Sequence, residues 1–214
     1  MNTVRDMLKL YFVMGSPNCT RNPRQVLKES IDGGVTLFQL REKGHGALQG
    51  EEKRQLAKEL QAICKENNVP FIVNDDVDLA IELQADGVHI GQEDEPIDAV
   101  KTKIGSMLLG VSTHNIEEAL LAIEKGADYI GVGPMYETKT KSDARDVMGP
   151  LMIKNMRSEG IEIPIVGIGG ISLGKVRDVM NAGSDGVAVV SAISLANSAK
   201  DAAEELMNEI RSSD

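Results

Sequence analysis

The stretch from Pro164 to Ser191 constrains the fold more than any other part of the chain. It holds two short apolar segments separated by a glycine turn and a helical segment, so we predict strands at 165–167 and 186–190 and a helix at 173–182. Neither apolar segment alternates with polar residues, which is typical of parallel strands covered on both faces. Small residues follow each strand, where backbone N–H groups can approach an anion at a helix N-terminus. These residues are Gly169-Gly170 and Ser191-Ala192.

Two consecutive strand-turn-helix units of this kind, late in a chain of 214 residues, indicate the phosphate site that follows strands 7 and 8 of a (β/α)8 barrel. The alternative is that the glycines only make tight turns. The barrel interpretation has a consequence for the rest of the chain, because its chemical groups should then lie directly after the other strands.

The remaining sequence alternates between apolar segments and amphipathic segments. A weak repeat recurs before several strands, in which a helix ends, a small residue turns the chain and a buried strand begins. A doubly wound sheet would usually carry a glycine fingerprint after the first strand, and Met14-Gly15-Ser16-Pro17 is not one. We therefore predict an α/β protein with residues 1–214 forming a single TIM-barrel catalytic domain. The predicted strands are 8–14, 35–40, 71–73, 87–90, 107–111, 129–132, 165–167 and 186–190.

Composition excludes several classes of function. The formal net charge of −10 argues against nucleic acid as a partner, since binding to nucleic acid needs a basic surface. Cys19 and Cys64 are far apart and show no metal-binding spacing. The apolar run Leu10–Met14 is too short for a signal sequence, and no segment approaches the length of a membrane span. We expect a cytoplasmic protein with reduced cysteines, small-molecule substrates and no membrane partner, and a homo-oligomer remains an open alternative.

Polar residues follow the second predicted strand. Alternation places Gln39, Arg41 and Lys43 on one side of the extended chain, with Leu40 and Glu42 on the other. Two cations and an amide at a barrel mouth suit a diphosphate and the edge of a heterocycle. The alternative is a solvated, charged loop.

Carboxylates follow the third and fourth strands. Asn74, Asp75 and Asp76 come after strand 3, and Asp94 comes after strand 4 beside two glutamates. Carboxylates from neighbouring strands, opposite phosphate-binding cations, suit Mg²⁺, which typically takes one or two carboxylates and keeps phosphate and water oxygens. The alternative is capping, of the helix from Val77 by Asp75 or Asp76 and of the turn before Pro96 by Asp94.

The fifth and sixth strands are also followed by polar residues. Ser112 and Thr113 follow strand 5, although capping of the helix from residue 116 also explains them. His89 lies inside an apolar strand, which favours a hydrogen-bonded core residue over a ligand. The long loop 133–149 carries Thr138, Thr140 and Lys141, which could close over phosphates and exclude water.

Together these residues resemble the thiamine-phosphate synthase (thiamine-phosphate pyrophosphorylase) family over about Leu8 to Ile193. The resemblance depends on several motifs in the same order, most of which follow a predicted strand. The motifs are Gln39-Leu40-Arg41-Glu42-Lys43, Asn74-Asp75, His89-Ile90-Gly91-Gln92-Glu93-Asp94, Gly110-Val111-Ser112, Thr138-Lys139-Thr140-Lys141, Gly167-Ile168-Gly169-Gly170-Ile171 and Val190-Ser191.

The resemblance implies a fold, a reaction and a set of roles. Members of this family join hydroxymethylpyrimidine diphosphate to thiazole phosphate, releasing pyrophosphate, and the loss of pyrophosphate is described as dissociative. Asp75 and Asp94 would then bind Mg²⁺, while Arg41, Lys43 and Lys141 would stabilise the leaving group without a protein nucleophile. The pyrimidine diphosphate would contact Gln39, Leu40, Arg41, Glu42, Lys43, Asn74, Ser112 and Lys141. The thiazole phosphate would contact Thr138, Lys139, Thr140, Gly170, Val190 and Ser191.

One residue departs from the family pattern, and three other functions stay open. Glu137 stands where the family usually has a proline, which bears on the thiazole contacts of its loop. The alternatives are a thiazole tautomerase of the same fold, a catalytically silent barrel that binds a phosphorylated metabolite, and another phosphosugar-handling barrel. The cations and both aspartates speak against the tautomerase, which has no pyrophosphate to hold.

Overall fold

Eight parallel strands form a closed barrel in the computed structural model, which describes residues 3–138 and 146–213. The strands follow one another around the barrel in chain order, and β8 pairs with β1 to close it. This is the predicted (β/α)8 TIM barrel. The strands are β1 Leu10–Met14, β2 Leu37–Leu40, β3 Phe71–Asn74, β4 Gly87–Ile90, β5 Leu108–Thr113, β6 Tyr129–Val132, β7 Ile165–Ile168 and β8 Gly186–Val189.

Helices connect the strands and pack around the barrel. A short helix precedes β1, one described α-helix follows each of β1 to β7, and two follow β8; a 3-10 turn, Ser16–Asn18, also follows β1. The helices are α1 Val4–Leu8, α2 Pro23–Asp32, α3 Gly50–Glu66, α4 Val77–Leu83, α5 Ile97–Ile104, α6 Ile116–Glu124, α7 Leu151–Ser158, α8 Val176–Asn181, α9 Ser191–Ser194 and α10 Ala199–Arg211.

The strands bury both of their faces, in two separate cores. In β1, Phe12 points to the core between barrel and helices, whereas Tyr11 and Val13 point into the barrel with Leu37 and Val166. Each of these side chains is at most 1% exposed. Burial on both faces explains why the strands are continuously apolar, as expected for parallel strands.

At the end of the barrel opposite the glycine turns, an arginine links several segments of the chain. The Arg157 side chain donates hydrogen bonds to the carbonyls of Ile161, Ile163 and Gly183, and to the Asp185 carboxylate at 2.8 Å. Asp185 also pairs with Arg5 of α1. Desolvation lowers the pKa of Arg157 in this setting, and the Asp185 charge opposes that effect. These contacts tie α1 and the segment before β7 to the start of β8.

The structure corrects several of the predicted element boundaries, including the following three. Leu8 ends helix α1, which Thr3 caps, so the first strand begins at Leu10 and not at residue 8. Helix α5 occupies a region in which no helix is predicted, and it begins after Pro96 without a side-chain cap. Strand β5 extends to Thr113. The cap of helix α6 is Asn115, so Ser112 and Thr113 belong to the strand and do not cap the helix.

Candidate active site

A cavity of about 190 Å³ opens at the carboxyl ends of the barrel strands. Barrel enzymes place their active sites at this end. We call this region the mouth, and it brings together side chains that follow seven of the strands. Of the residues predicted to bind substrates or metal, the mouth is lined by Arg41, Lys43, Asn74, Asp75, Asp94, Ser112, Thr138, Gly170, Val190 and Ser191.

Three predicted residues lie away from this cavity. Gln39 points into the barrel and donates to the Tyr11 hydroxyl at 2.7 Å. Leu40 packs in the outer core between barrel and helices. The Glu42 carboxylate accepts from the backbone N–H groups of Ser16 and Leu48, which holds it on the far side of its loop. The structure therefore has the predicted alternation, with positions 39, 41 and 43 on one side of the chain and positions 40 and 42 on the other. The substrate contacts of Gln39, Leu40 and Glu42 stay a prediction.

Three further predicted residues are not part of the described structure. Lys139, Thr140 and Lys141 lie outside the described residues, which resume at residue 146. Their predicted contacts with the two phosphorylated substrates stay predictions from the family resemblance. Thr138, immediately before them, lines the mouth.

Two carboxylates and a lysine form the charged centre of the mouth. The Lys43 ammonium lies 2.7 Å from an Asp75 carboxylate oxygen. Burial raises the pKa of Asp75 above its ordinary value; the Lys43 hydrogen bond opposes this rise, and the neighbouring Asp94 adds to it. The Asp75 hydrogen bond raises the pKa of Lys43. The two aspartates thus lie close enough to repel each other, and the charges of both act on Lys43.

The residues of this centre suit Mg²⁺. Within residues 3–138 and 146–213, no group of three or more His, Cys, Asp and Glu side chains could hold a metal ion. Mg²⁺ needs no such cage, because it commonly binds one or two carboxylates and completes its shell with waters and substrate phosphate oxygens. The mutual repulsion of Asp75 and Asp94 is the feature that a divalent cation would relieve.

The capping alternative holds for two of the three aspartates, Asp76 and Asp94. Asp76 accepts the backbone N–H of Leu79 and is the N-cap of α4. Asp94 accepts the backbone N–H of Gly91 at 2.7 Å, so it closes the turn after β4 while lining the mouth. Asp75 does neither, and it holds a backbone φ of 61°. A left-handed conformation is costly for a residue other than glycine, and such strain concentrates at functional sites.

Two glycines after β7 let the neighbouring loop pack closely. A Cβ atom on Gly170 would lie 2.5 Å from the Glu137 carbonyl oxygen, and one on Gly169 would lie 2.7 Å from Pro134. Both glycines also have a positive φ, which is 99° at Gly169 and 66° at Gly170. Backbone hydrogen bonds from Met135 and Tyr136 fix the loop to the end of β7. These glycines therefore hold the start of the 133–149 loop over the mouth, in addition to turning the chain.

Three polar residues that line the mouth, Gln92, Glu93 and His114, were not among the predicted site residues. His114 lines the cavity, and its Nδ1 lies 3.0 Å from the Glu118 carboxylate one turn along α6. Gln92 donates to the Ser112 carbonyl at 2.7 Å and so ties the turn after β4 to β5. The four-residue spacing of His114 and Glu118 at the start of a predicted helix was the available signal.

The fold and the mouth together define a class of protein. A closed (β/α)8 barrel that gathers cations, carboxylates and glycine turns at its carboxyl end belongs to the barrel enzymes. Fold alone does not fix the reaction, which depends on the particular residues at the mouth.

Comparison with known proteins identifies the family. The model of the thiamine monophosphate synthase family matches residues 10–193. A thiamine-phosphate synthase of Bacillus cereus is 59% identical over 204 residues, which cover 95% of this chain and 91% of the relative. One of Bacillus thuringiensis is also 59% identical, with 95% and 93% covered. The chain belongs to the thiamine monophosphate synthase family, and it is an enzyme.

Solved structures agree with this assignment. A thiamine phosphate pyrophosphorylase from Pyrococcus furiosus superposes with a TM-score of 0.89 at 35% identity, covering 99% of each chain. A geranylgeranylglyceryl phosphate synthase from Thermoplasma acidophilum superposes with a TM-score of 0.68 at 13% identity, which shows a shared fold only. Among the described residues, no helix has the length and hydropathy needed to cross a membrane.

Proposed function

We propose that this enzyme joins hydroxymethylpyrimidine diphosphate to thiazole phosphate, giving thiamine phosphate and pyrophosphate. Family membership and relatives named thiamine-phosphate synthase support the reaction. The observation that carries the proposal at the level of the site is the charged centre of the mouth. Lys43, Asp75 and Asp94 line the same cavity as Gly170 and Ser191, so two phosphorylated substrates can bind on opposite sides of one mouth.

The cations of the mouth have the task of stabilising the leaving group. Arg41 is 9% exposed and Lys43 is more accessible, so one guanidinium and one ammonium can contact the diphosphate oxygens. Their charge stabilises the negative charge that grows on pyrophosphate as the bond breaks. Asp75 and Asp94 would hold Mg²⁺, which would supply further neutralisation of the leaving group's charge. Lys141 has the same proposed role, by family resemblance.

The bond changes need no nucleophile from the protein. The bond between the pyrimidine methylene carbon and the diphosphate oxygen breaks, and its electron pair leaves with pyrophosphate. The electron-rich aminopyrimidine stabilises the resulting cation, and the thiazole nitrogen then donates its lone pair to the methylene carbon. The protein positions the two substrates and excludes water, because water at the mouth would trap the cation.

The test is a direct assay of product. Purified enzyme is mixed with both substrates in Mg²⁺ or in EDTA, and thiamine phosphate is followed as fluorescent thiochrome after oxidation. We expect product that depends on Mg²⁺. No product from folded protein would contradict the proposal, and an assay of thiazole isomerisation would then separate the tautomerase from a silent binder.

A variant pair tests the aspartates. We expect Asp94→Ala to lose at least 100-fold in kcat/KM, since it removes a proposed metal ligand from the mouth. Asp98→Ala is the matched control, because Asp98 is an exposed carboxylate on α5 outside the mouth. Equal rates for the two variants would remove Asp94 from the mechanism.

A further inference from the structure

A chain of hydrogen bonds runs from the inside of the barrel to the mouth. It starts at Gln39, whose amide nitrogen lies 2.7 Å from the Tyr11 hydroxyl, and continues over 2.8 Å to the Tyr129 hydroxyl. Tyr129 lies 3.1 Å from Nδ1 of His89, and Nε2 of His89 lies 2.9 Å from the Ser112 hydroxyl. The five side chains come from five different strands, and only Ser112 reaches the mouth.

The side chains of this hydrogen-bond chain are buried inside the barrel, and a glycine leaves room for them. Gln39, Tyr11, Tyr129 and His89 are between 1% and 7% exposed. A Cβ atom at Gly110 would lie 2.2 Å from Tyr129 and 2.5 Å from Nδ1 of His89. Only glycine at this position of β5 leaves room for both rings. Burial also raises the pKa of both tyrosines, so their hydroxyls stay neutral and can both donate and accept.

The placement of the Gln39 amide gives the chain a direction. The amide nitrogen can only donate, so the Tyr11 oxygen accepts from it. Among the residues that the structure describes, the other side-chain partner of the Tyr11 hydroxyl is Tyr129, so the Tyr11 proton is directed to Tyr129. Tyr129 then donates to Nδ1 of His89. A histidine that accepts at Nδ1 carries its proton on Nε2 when neutral, and that proton is donated to the Ser112 oxygen.

We infer that Gln39, Tyr11, Tyr129 and His89 are positioning residues that hold the Ser112 oxygen as an acceptor and so aim its hydroxyl proton at the leaving diphosphate. This inference rests on the proposed function for the identity of the anion. Without the chain, the Ser112 hydroxyl would also donate to His89 and would be lost to the substrate. The interior of the barrel thus decides which way a mouth hydroxyl points.

The first test measures the tautomer of His89 without any substrate. The described chain holds His89 together with His45 and His114, so side-chain ¹⁵N NMR can be assigned with His45→Gln and His114→Gln. We expect His89 to be neutral with its proton on Nε2. A proton on Nδ1 would mean the reverse direction, from Ser112 to the Gln39 amide oxygen, and would overturn the inference.

A variant that imposes an acceptor sharpens this measurement. Gln39→Glu keeps the shape of the side chain and replaces its donor with a carboxylate, which only accepts when ionised. The chain should reverse, and the His89 proton should move to Nδ1. An unchanged tautomer in the folded variant would show that Gln39 does not set the direction.

The second test asks whether Tyr129 acts through Ser112. Tyr129→Phe removes the donor to His89, and we expect kcat to fall about 5- to 10-fold with KM within twofold, because the Ser112 proton matters most as charge grows on the leaving group. In a Ser112→Ala background, the same change should cost less than twofold. A full loss in both backgrounds would mean that Tyr129 acts independently of Ser112. Tyr11→Phe, one step further away, serves if Tyr129→Phe does not fold.

Control measurements separate this inference from the proposed function. Ser30→Ala removes a buried hydroxyl that donates within α2, far from the mouth, and should leave kcat unchanged. If the wild-type enzyme makes no thiamine phosphate while His89 has the expected tautomer, the proposed function fails and the hydrogen-bond chain stands. If product forms and the tautomer is reversed, the inference fails alone.

Discussion

Asp75 at the mouth has two features that oppose folding at neutral pH. Asp75 has a raised pKa because it is buried beside Asp94, and it also has a left-handed backbone. A raised pKa in the folded protein means that the protonated form is favoured by folding. The stability that this proton brings is present below the unfolded value of 3.8 and is lost as pH rises through the folded value. At neutral pH the charged Asp75 therefore opposes folding.

Replacing this charge should stabilise the free enzyme. We expect Asp75→Asn to raise the Tm in EDTA at neutral pH by about 2 °C, since it removes the repulsion from Asp94, and to lower turnover sharply. Thermal unfolding monitored by circular dichroism measures the first effect, and the thiochrome assay measures the second. A lower Tm for the variant would show that the Lys43 ion pair outweighs the repulsion.

Room for the interior hydrogen-bond chain also depends on a single residue. Gly110→Ala places a methyl group 2.2 Å from Tyr129, so a ring or a strand must move. We expect a loss of about 2–3 kcal/mol in the free energy of unfolding, which urea titration measures. Gly131→Ala is a graded comparison, because its new methyl group would lie 3.2 Å from His89, and its loss should be smaller. Equal losses would contradict the steric explanation.

At the scale of helices and strands, burial explains which elements could be predicted. Strands β4 and β6 have the predicted bounds, since an apolar segment between turn residues has few other structures available. Helix α5 was missed because it lacks a side-chain cap, although Ile97, Val100 and Ile104 have the spacing of one buried helix face. Helix α1 was missed because its capping box, Thr3 and Asp6, lies directly before a strand.

A helix cap gives a prediction at this scale. Asp76 is partly buried, which favours its neutral form, but Lys53 and the Leu79 N–H outweigh this and lower its pKa. We expect Asp76→Ala to cost about 1 kcal/mol at neutral pH, with Asp78→Ala on the exposed first turn of α4 as the control. Because the pKa of Asp76 is lowered by folding, its carboxylate stabilises the fold at pH values above the unfolded pKa of 3.8. This stabilisation is lost as the pH falls through the pKa of the folded state. Urea titration should therefore show the deficit vanishing in acid, and a deficit independent of pH would contradict it.

For the whole molecule, the two ends of the barrel have separate tasks. The carboxyl ends of the strands carry the mouth, whereas the other end carries Arg157 and Asp185, which tie α1, β7 and β8 together. This separation allows stability and activity to be changed independently, as in other barrels of this type.

An arginine substitution tests that separation. We expect Arg157→Met to cost about 2–4 kcal/mol, because four hydrogen bonds from a half-buried guanidinium are lost and Asp185 keeps only one of its two arginine partners, Arg5. The kcat of the folded variant should stay within twofold of wild type. Arg211→Met, on the exposed last turn of α10, controls for loss of charge. A large fall in kcat at full folding would show that the two ends are coupled.

The sequence alone determined the barrel, its order of strands and most of the mouth. Parallel strands buried on both faces must be apolar, so the polar residues directly after them have one place to meet. It also gave the alternation that separates Arg41 and Lys43 from Leu40 and Glu42. These features are local, because they depend on which residue follows which.

Only the tertiary structure decided which side chains meet across the barrel. Tyr11 and Tyr129 are 118 positions apart, and nothing in either local sequence pairs them. The same holds for Arg157 with Asp185 and for Gln39, whose amide donates into the barrel and not to the mouth. The physical reason is that hydrogen bonds between strands depend on register and closure, which the local pattern of apolar and polar residues does not encode.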